Sequence, residues 1–398
     1  MASMHRREVL GWMGVGAVAP LLTACSSLGM PSAPGGPGVE LLYFGDTLDA
    51  RQPGPPVVPA TRLGPVSHLG QAPWMSGASA RQPRAELNPL LDASLADGVR
   101  TGGYAVLGAL LEQLRQEAGA DNCLTLENGQ GWNGSGLAYL TQGASGVQGS
   151  QLLGSEVRVS SDERVLWPQQ CAGLSRQYGQ AVLGAGLAPE RAQALGTPAF
   201  TVVRRAGIKV AVVGVTDPYA QDQKASLKQW YQALLPAFEQ ARREADLVVA
   251  LADVGTGPGL WLAERRSDAD LLLCARGQDL WPQPVSVLQA SGKQVPVLLA
   301  GNRASGVFRL NAQQRDGRWQ FRAHFYPAFE HTLTPTGQAR AAQLRAQLQQ
   351  QRAGHAAWLD QPLASAPQAL WRRDTRGGSW DNLLHQALAD GSAAPVLL

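Results

Sequence analysis

The sequence predicts an α/β sandwich, on three observations. Short apolar runs alternate with helix-like stretches along most of the chain. The apolar runs are continuous rather than every-other-residue, as in strands covered on both faces. The stretches between them carry one-sided apolar patterns, as where Leu107, Leu110, Leu111 and Leu114 recur at helical spacing. Together these describe helices packed over a mixed pair of sheets in one main domain.

Strands are expected at 41–44, 124–126, 200–203, 210–215, 247–251, 270–274 and 295–299, and helices at 104–117, 170–183, 226–245 and 260–267. Runs at 307–311 and 319–326 read as a hairpin across Asp316-Gly317, a dipeptide suited to a two-residue turn. The stretch 333–352, rich in Gln, Arg and Ala, reads as a helix leading onward. Residues 51–88 are polar and rich in Pro and Gly, and fit a cleft wall or a loose surface loop equally well.

With 398 residues, 44% hydrophobic and 16% charged, the chain can bury a sizeable core, which excludes global disorder. The net charge of +3 is small, and no basic stripe is interleaved with aromatics, so nucleic acid is not an expected partner. The N-terminus reads as a targeting segment. Arg6-Arg7 before a modest apolar stretch has the form of a twin-arginine export signal. Leu22-Thr23-Ala24-Cys25 has the form of a lipobox, whose cysteine receives lipid; an ordinary cleaved signal is the alternative. Residues 1–25 are thus the expected signal and 26–39 a Pro/Gly-rich linker, giving an exported periplasmic lipoprotein held on the membrane. Cys123, Cys171 and Cys274 remain, either as buried free thiols or with one pair joined.

The loops at the ends of the predicted strands carry a family resemblance. Glu127-Asn128-Gly129-Gln130-Gly131-Trp132-Asn133-Gly134-Ser135-Gly136 resembles the Asp-Gly-Gly-Asp-Thr-Trp-Gln-Gly-Ser-Gly loop of the 5′-nucleotidase-like metallophosphoesterases, most nearly as it occurs in the sulfate thiohydrolases of bacterial sulfur oxidation. Gly45-Asp46-Thr47-Leu48 resembles that family's Asn-Asp-x-His, Ser160-Ser161-Asp162-Glu163 its Gly-Asn-His-Glu, and Ala252-Asp253-Val254-Gly255 its Ser-His-x-Gly. Cys274-Ala275-Arg276-Gly277-Gln278-Asp279 resembles Gly-Gly-His-Thr-His-Asp. Framing matches are Gly102-Gly103-Tyr104, the 207–216 segment and Pro282-Gln283-Pro284. The resemblance implies a four-layer α/β/β/α sandwich over 40–330, with 331–398 as a linker helix and the truncated start of a second domain. It also implies two divalent metals, manganese or zinc.

At the family's ligand positions this chain has Asp46, Leu48, Gln130, Ser161, Asp253, Arg276 and Gln278. Leu48 and Arg276 cannot ligate a cation, and Gln130, Ser161 and Gln278 are weak neutral donors. The expectation is therefore that no metal cofactor is held. Asp46, Asp253 and Glu163 are the candidate catalytic groups if any hydrolysis remains. Arg276 either binds an anion or forms a salt bridge with a neighbouring acid such as Asp253, Glu127 or Asp279. Asp46 also fits a plain turn-capping role. Three functions fit this pattern: a noncatalytic binding or accessory module of the envelope with a protein partner, in sulfur oxidation by resemblance; a hydrolase with an altered metal site; and a truncated duplicate without a function.

The lipobox reading is checked by fractionation. Wild type is expected with membranes, and Cys25→Ser is expected to release the protein or stall its processing. A wholly soluble wild type with an unmodified mature N-terminus contradicts the anchor.

Overall fold

Continuous apolar runs become strands buried on both sides, and this sets the architecture. The computed structural model describes residues 38–54, 100–220, 226–266, 268–277, 280–281, 283–367, 370 and 378–391. Arg6, Arg7, Cys25, Gln278 and Asp279 lie outside these residues, as does the 51–88 stretch beyond residue 54.

In chain order the first elements are β1 (Gly38–Gly45), α1 (Tyr104–Ala118), β2 (Cys123–Asn128), α2 (Gly136–Leu140), α3 (Ala144–Leu153), β3 (Val157–Val159), α4 (Glu163–Leu166) and α5 (Cys171–Tyr178). Next come β4 (Ala181–Leu183), α6 (Pro189–Leu195), β5 (Phe200–Arg205), β6 (Ile208–Val215), α7 (Leu227–Glu244), β7 (Leu247–Ala252), α8 (Thr256–Arg265) and β8 (Leu271–Cys274). The last are β9 (Val285–Leu288), β10 (Gln294–Leu299), β11 (Gly306–Arg315), β12 (Arg318–Pro327), α9 (Pro335–Ala353), α10 (Ala356–Leu359) and α11 (Ser379–Gly391).

Among the described residues the strands form two sheets, in the orders β12-β11-β1-β2-β3-β4 and β5-β6-β7-β8-β10-β9. In the first sheet β1 through β4 are parallel, with the β11–β12 hairpin antiparallel at the edge. In the second, β6, β7, β8 and β10 are parallel, and β5 and β9 are antiparallel edges.

Alternate residues of each strand sort into different layers. Leu41, Tyr43, Leu124 and Leu126 from the first sheet meet Val210, Val212, Val249 and Leu251 from the second in one central core. The opposite face of the first sheet, with Leu42, Phe44 and Cys123, packs under α1 and α9. The opposite face of the second, with Ala211, Val213 and Val248, packs under Trp230, Leu234 and Phe238 of α7 and Leu262 of α8. The result is the four-layer α/β/β/α sandwich that the resemblance implies.

Local chemistry starts and stops the elements as expected. Ser226 caps α7 through a reciprocal capping box with Gln229. Thr334 caps α9 by accepting from the Gly337 amide, with Pro335 in the first turn. Asp316 and Gly317 both take positive φ, 50° and 72°, in the hairpin turn.

Two helix expectations need correction. The helix expected over 170–183 is α5 followed by β4. Gly179, at φ 73°, stops the helix, and Ala181–Leu183 then pairs with β3. The helix expected from residue 260 begins at Thr256. The short β3 and the helix α3 went unread, being too brief or too mixed for a periodic signal. The three described cysteines, Cys123, Cys171 and Cys274, are buried and free.

The 335–353 helix does more than lead onward. Ala341, Leu344 and Leu348 are buried with Leu107 and Leu111 of α1 in one cluster. Gly108 gives them a flat seat, since a Cβ there would lie 2.9 Å from Leu344 Cδ1. Truncating Leu344, which is 2% exposed, should leave a cavity in that seam. Leu344→Ala is therefore expected to cost about 2–4 kcal/mol in urea unfolding. A change under about 0.5 kcal/mol would mean that α9 is only loosely attached.

Candidate functional site

The parallel strands β1, β2 and β3 of one sheet and β6, β7 and β8 of the other end at the same edge of the sandwich, and their loops meet there. Open α/β sheets bind ligands at this carboxyl edge. The loops are held in unusual shapes. Asp46, Leu48, Asp49 and Arg276 all have positive φ, between 43° and 65°. Gly129, at φ 75°, passes so close to Asp46 that a Cβ would lie 2.2 Å from its Oδ1.

Arg276, at the end of β8, is the centre of the site. Its Nε lies 3.2 Å from Asp253 Oδ1 and 3.4 Å from Asp217 Oδ2, and its Nη2 donates to Asp162 Oδ1. Asp162 Oδ2 accepts from the Gln130 side-chain amide at 2.6 Å and from that of Asn133 at 2.8 Å. Asp253 Oδ2 accepts from the Ser161 amide at 2.6 Å, and Ser161 Oγ accepts from the Asp217 amide at 2.8 Å. Asp46 Oδ1 accepts from the Gln130 amide at 3.1 Å.

Burial works against Arg276's charge, but Asp253, Asp162 and Asp217 outweigh it and hold the guanidinium cationic. Burial likewise pushes Asp162 up, yet Arg276 and the amide donors win and hold its carboxyl below the usual range. Asp253 is fully enclosed, so for it burial wins and its carboxyl sits above the usual range despite Arg276.

The loops therefore bring Asp46, Gln130, Ser161, Asp253 and Arg276 together. Leu48 instead lines a neighbouring cavity. Glu163 belongs to a second, buried cluster: it pairs at 3.3 Å with Arg158, a side chain with no exposure. Arg158 also lies 3.6 Å from Glu127 and stacks 3.8 Å from the centre of the Trp132 ring. Glu127 in turn accepts from Ser150 and Ser155. Glu127 is thus Arg158's partner, and the acids on Arg276 are Asp253, Asp162 and Asp217. Sequence reasoning gave Asp162 no role and overlooked Asp217. The signal available for Asp217 was its place two residues beyond the buried strand β6.

Among the described residues no group of three His, Cys, Asp or Glu side chains is arranged to hold a metal ion. The three aspartates that do converge already surround a guanidinium. This donor set does not fit a pair of divalent cations.

No protein-family model and no curated protein matches the chain. Solved structures do. The sulfate thiohydrolase SoxB of Thermus thermophilus is 25% identical with a TM-score of 0.70, over 90% of this chain and 68% of that one. A 5′-nucleotidase precursor of Thermus thermophilus is 18% identical with a TM-score of 0.66, over 89% and 68%. The NAD nucleotidase of Haemophilus influenzae is 14% identical with a TM-score of 0.57, over 81% and 60%. The chain has the fold of the 5′-nucleotidase-like metallophosphoesterases. Within that class its likeness runs to the sulfate thiohydrolase SoxB.

Removing the central cation tests this geometry. Arg276→Ala leaves three acids facing one another, one of them fully buried. With the guanidinium side chain 23% exposed, the expected loss is about 2–4 kcal/mol, somewhat below that for a fully buried pair. Arg276→Lys should recover part of it. A chemical melt of Arg276→Ala that overlays wild type would show that the cluster does not depend on its arginine.

Proposed function

We propose that this chain is a noncatalytic relative of the metallophosphoesterases, acting as a binding or accessory module. The observation that carries the reading is Arg276. It stands where the resembling loops place a metal-ligating histidine, with its charge matched by Asp162, Asp217 and Asp253. A dication at that point would meet a fixed positive charge and would have to displace it from three acids. With Leu48 in place of a second ligand and Gln130 in place of the bridging carboxylate, a metal-bound nucleophilic water has no support. Glu163, the remaining acid of its loop, is committed to Arg158.

The cellular setting we propose is the envelope, reached by twin-arginine export through Arg6-Arg7 and held by lipid on Cys25. No described helix is long and apolar enough to cross a membrane. The partner we propose there is a periplasmic protein, and sulfur oxidation is the setting in which we would look for it first.

Metal content and turnover test the reading. The purified protein, dialysed against manganese or zinc, is expected to retain far less than one ion per chain. It should hydrolyse neither a thiosulfonate ester nor a nucleoside 5′-phosphate above the buffer rate. Gln130→Asp should not restore activity, because Leu48 and Arg276 remain. Two tightly held ions per chain, or manganese-dependent turnover by either protein, would refute it.

A further inference from the structure

Beside the Asp46 loop lies a cavity of about 520 Å³, bounded by residues 48–53, the start of α1, the turn into α2, and α9. None of the side chains that bind Arg276 lines it. Its wall carries five arginines: Arg51, Arg100, Arg303, Arg345 and Arg352. Val106, Leu137, Leu348 and Leu359 give it an apolar side. We propose that this cavity binds a small organic oxyanion, with a phosphate-type dianionic head and an apolar body.

The charge balance carries the argument. Among the described residues the one acid in the lining is Asp49, and it is already engaged. It is buried and accepts from Arg51 Nε at 3.2 Å, from Ser145 Oγ at 2.9 Å and from Ser135. Arg51 is also fixed by donating to the Ser145 carbonyl and to Gln351, both at 2.7 Å. Arg345 and Arg352 pair outward with Glu330 and Asp360. Counting all three acids, two positive charges remain among the described residues of the wall.

Two guanidiniums answer for that surplus. Among the described residues Arg100 donates only to the Pro53 carbonyl, at 2.5 Å. The Arg303 side chain has no hydrogen-bond or ion-pair partner among the described residues. Guanidinium forks suit oxyanions with two or more equivalent oxygens. The 15-residue helix α1 adds to the field. Its start lines the cavity through Gly103, Ala105 and Val106, with no side-chain cap and no acid in the first turn. A volume near 520 Å³ suits a ligand with a body as well as a charged head.

This inference does not rest on the loss of catalysis, and its test reads binding rather than turnover. Titration calorimetry on the full-length protein at low salt would use 1-naphthyl phosphate as the probe. Saturable one-site binding is expected, at least about ten-fold tighter than for 1-naphthol or inorganic phosphate. The double variant Arg100→Glu/Arg303→Glu alters two exposed side chains. It is expected to keep the wild-type melting temperature and to weaken binding at least about ten-fold. No saturable binding would overturn the proposal, as would equal affinity for 1-naphthol or undiminished binding by the charge-reversed protein. Sedimentation with phosphatidylglycerol vesicles, without binding of 1-naphthyl phosphate, would overturn it in favour of a membrane-surface role for the patch.

Discussion

Arg276 is a staple across the open end of the sandwich. It rises from β8 in one sheet and reaches Asp162, which follows β3 in the other. Ser161 and Asp253 make a second crossing a few ångströms away, and the Asn128 side chain a third, donating to the carbonyls of Ala252 and Leu273. The apolar contacts between the sheets resist separation but are indifferent to small sliding. Directional bonds between charged groups fix the register of the two edges. The loops that make up the candidate site therefore behave as one surface, although they come from two sheets.

The same cluster explains how three carboxylates can share so small a space. One guanidinium cannot balance three charges, and burying the surplus would be costly without further donors. The protein supplies amide groups from Gln130, Asn133 and Ser161. At the fully buried Asp253 burial raises the affinity for a proton, and Arg276 and the Ser161 amide work against that rise. A like logic governs Arg158, which is wholly enclosed and has Glu127, Glu163 and the face of Trp132 around it. Arg276 and Arg158 each have their own set of acids, and the sets do not overlap.

Much of the fold was legible because burial on both faces writes itself as unbroken apolar runs, as at Val210–Val215 and Leu247–Leu251. The layers came from family likeness, since periodicity says which residues are apolar but not which sheet they join. Ala181–Leu183 is a strand because β3 offers it a partner, and a partner distant in sequence leaves no local mark. The site was half legible. The loops holding Asp46, Gln130, Asp253 and Arg276 could be aligned one residue at a time. Asp217 could not, because nothing near it in sequence announces an arginine that lies 59 residues further along the chain and approaches it to 3.4 Å. The pairing of Glu127 with Arg158, which stands on the neighbouring strand, was hidden for the same reason.

The left-handed backbone at Asp46, Leu48 and Asp49 has one more consequence. Such angles cost a residue with a Cβ on the order of 1 kcal/mol each, so an isolated loop would relax out of them. Here the path is imposed from outside, by bonds from the Leu48 amide to the Gln130 carbonyl and from the Arg303 amide to the Asp46 carbonyl. Neither bond involves a side chain of the loop. The backbone will therefore present whatever stands at position 48 from the same point and in the same direction, and the shape of this corner can outlast repeated changes in its chemistry.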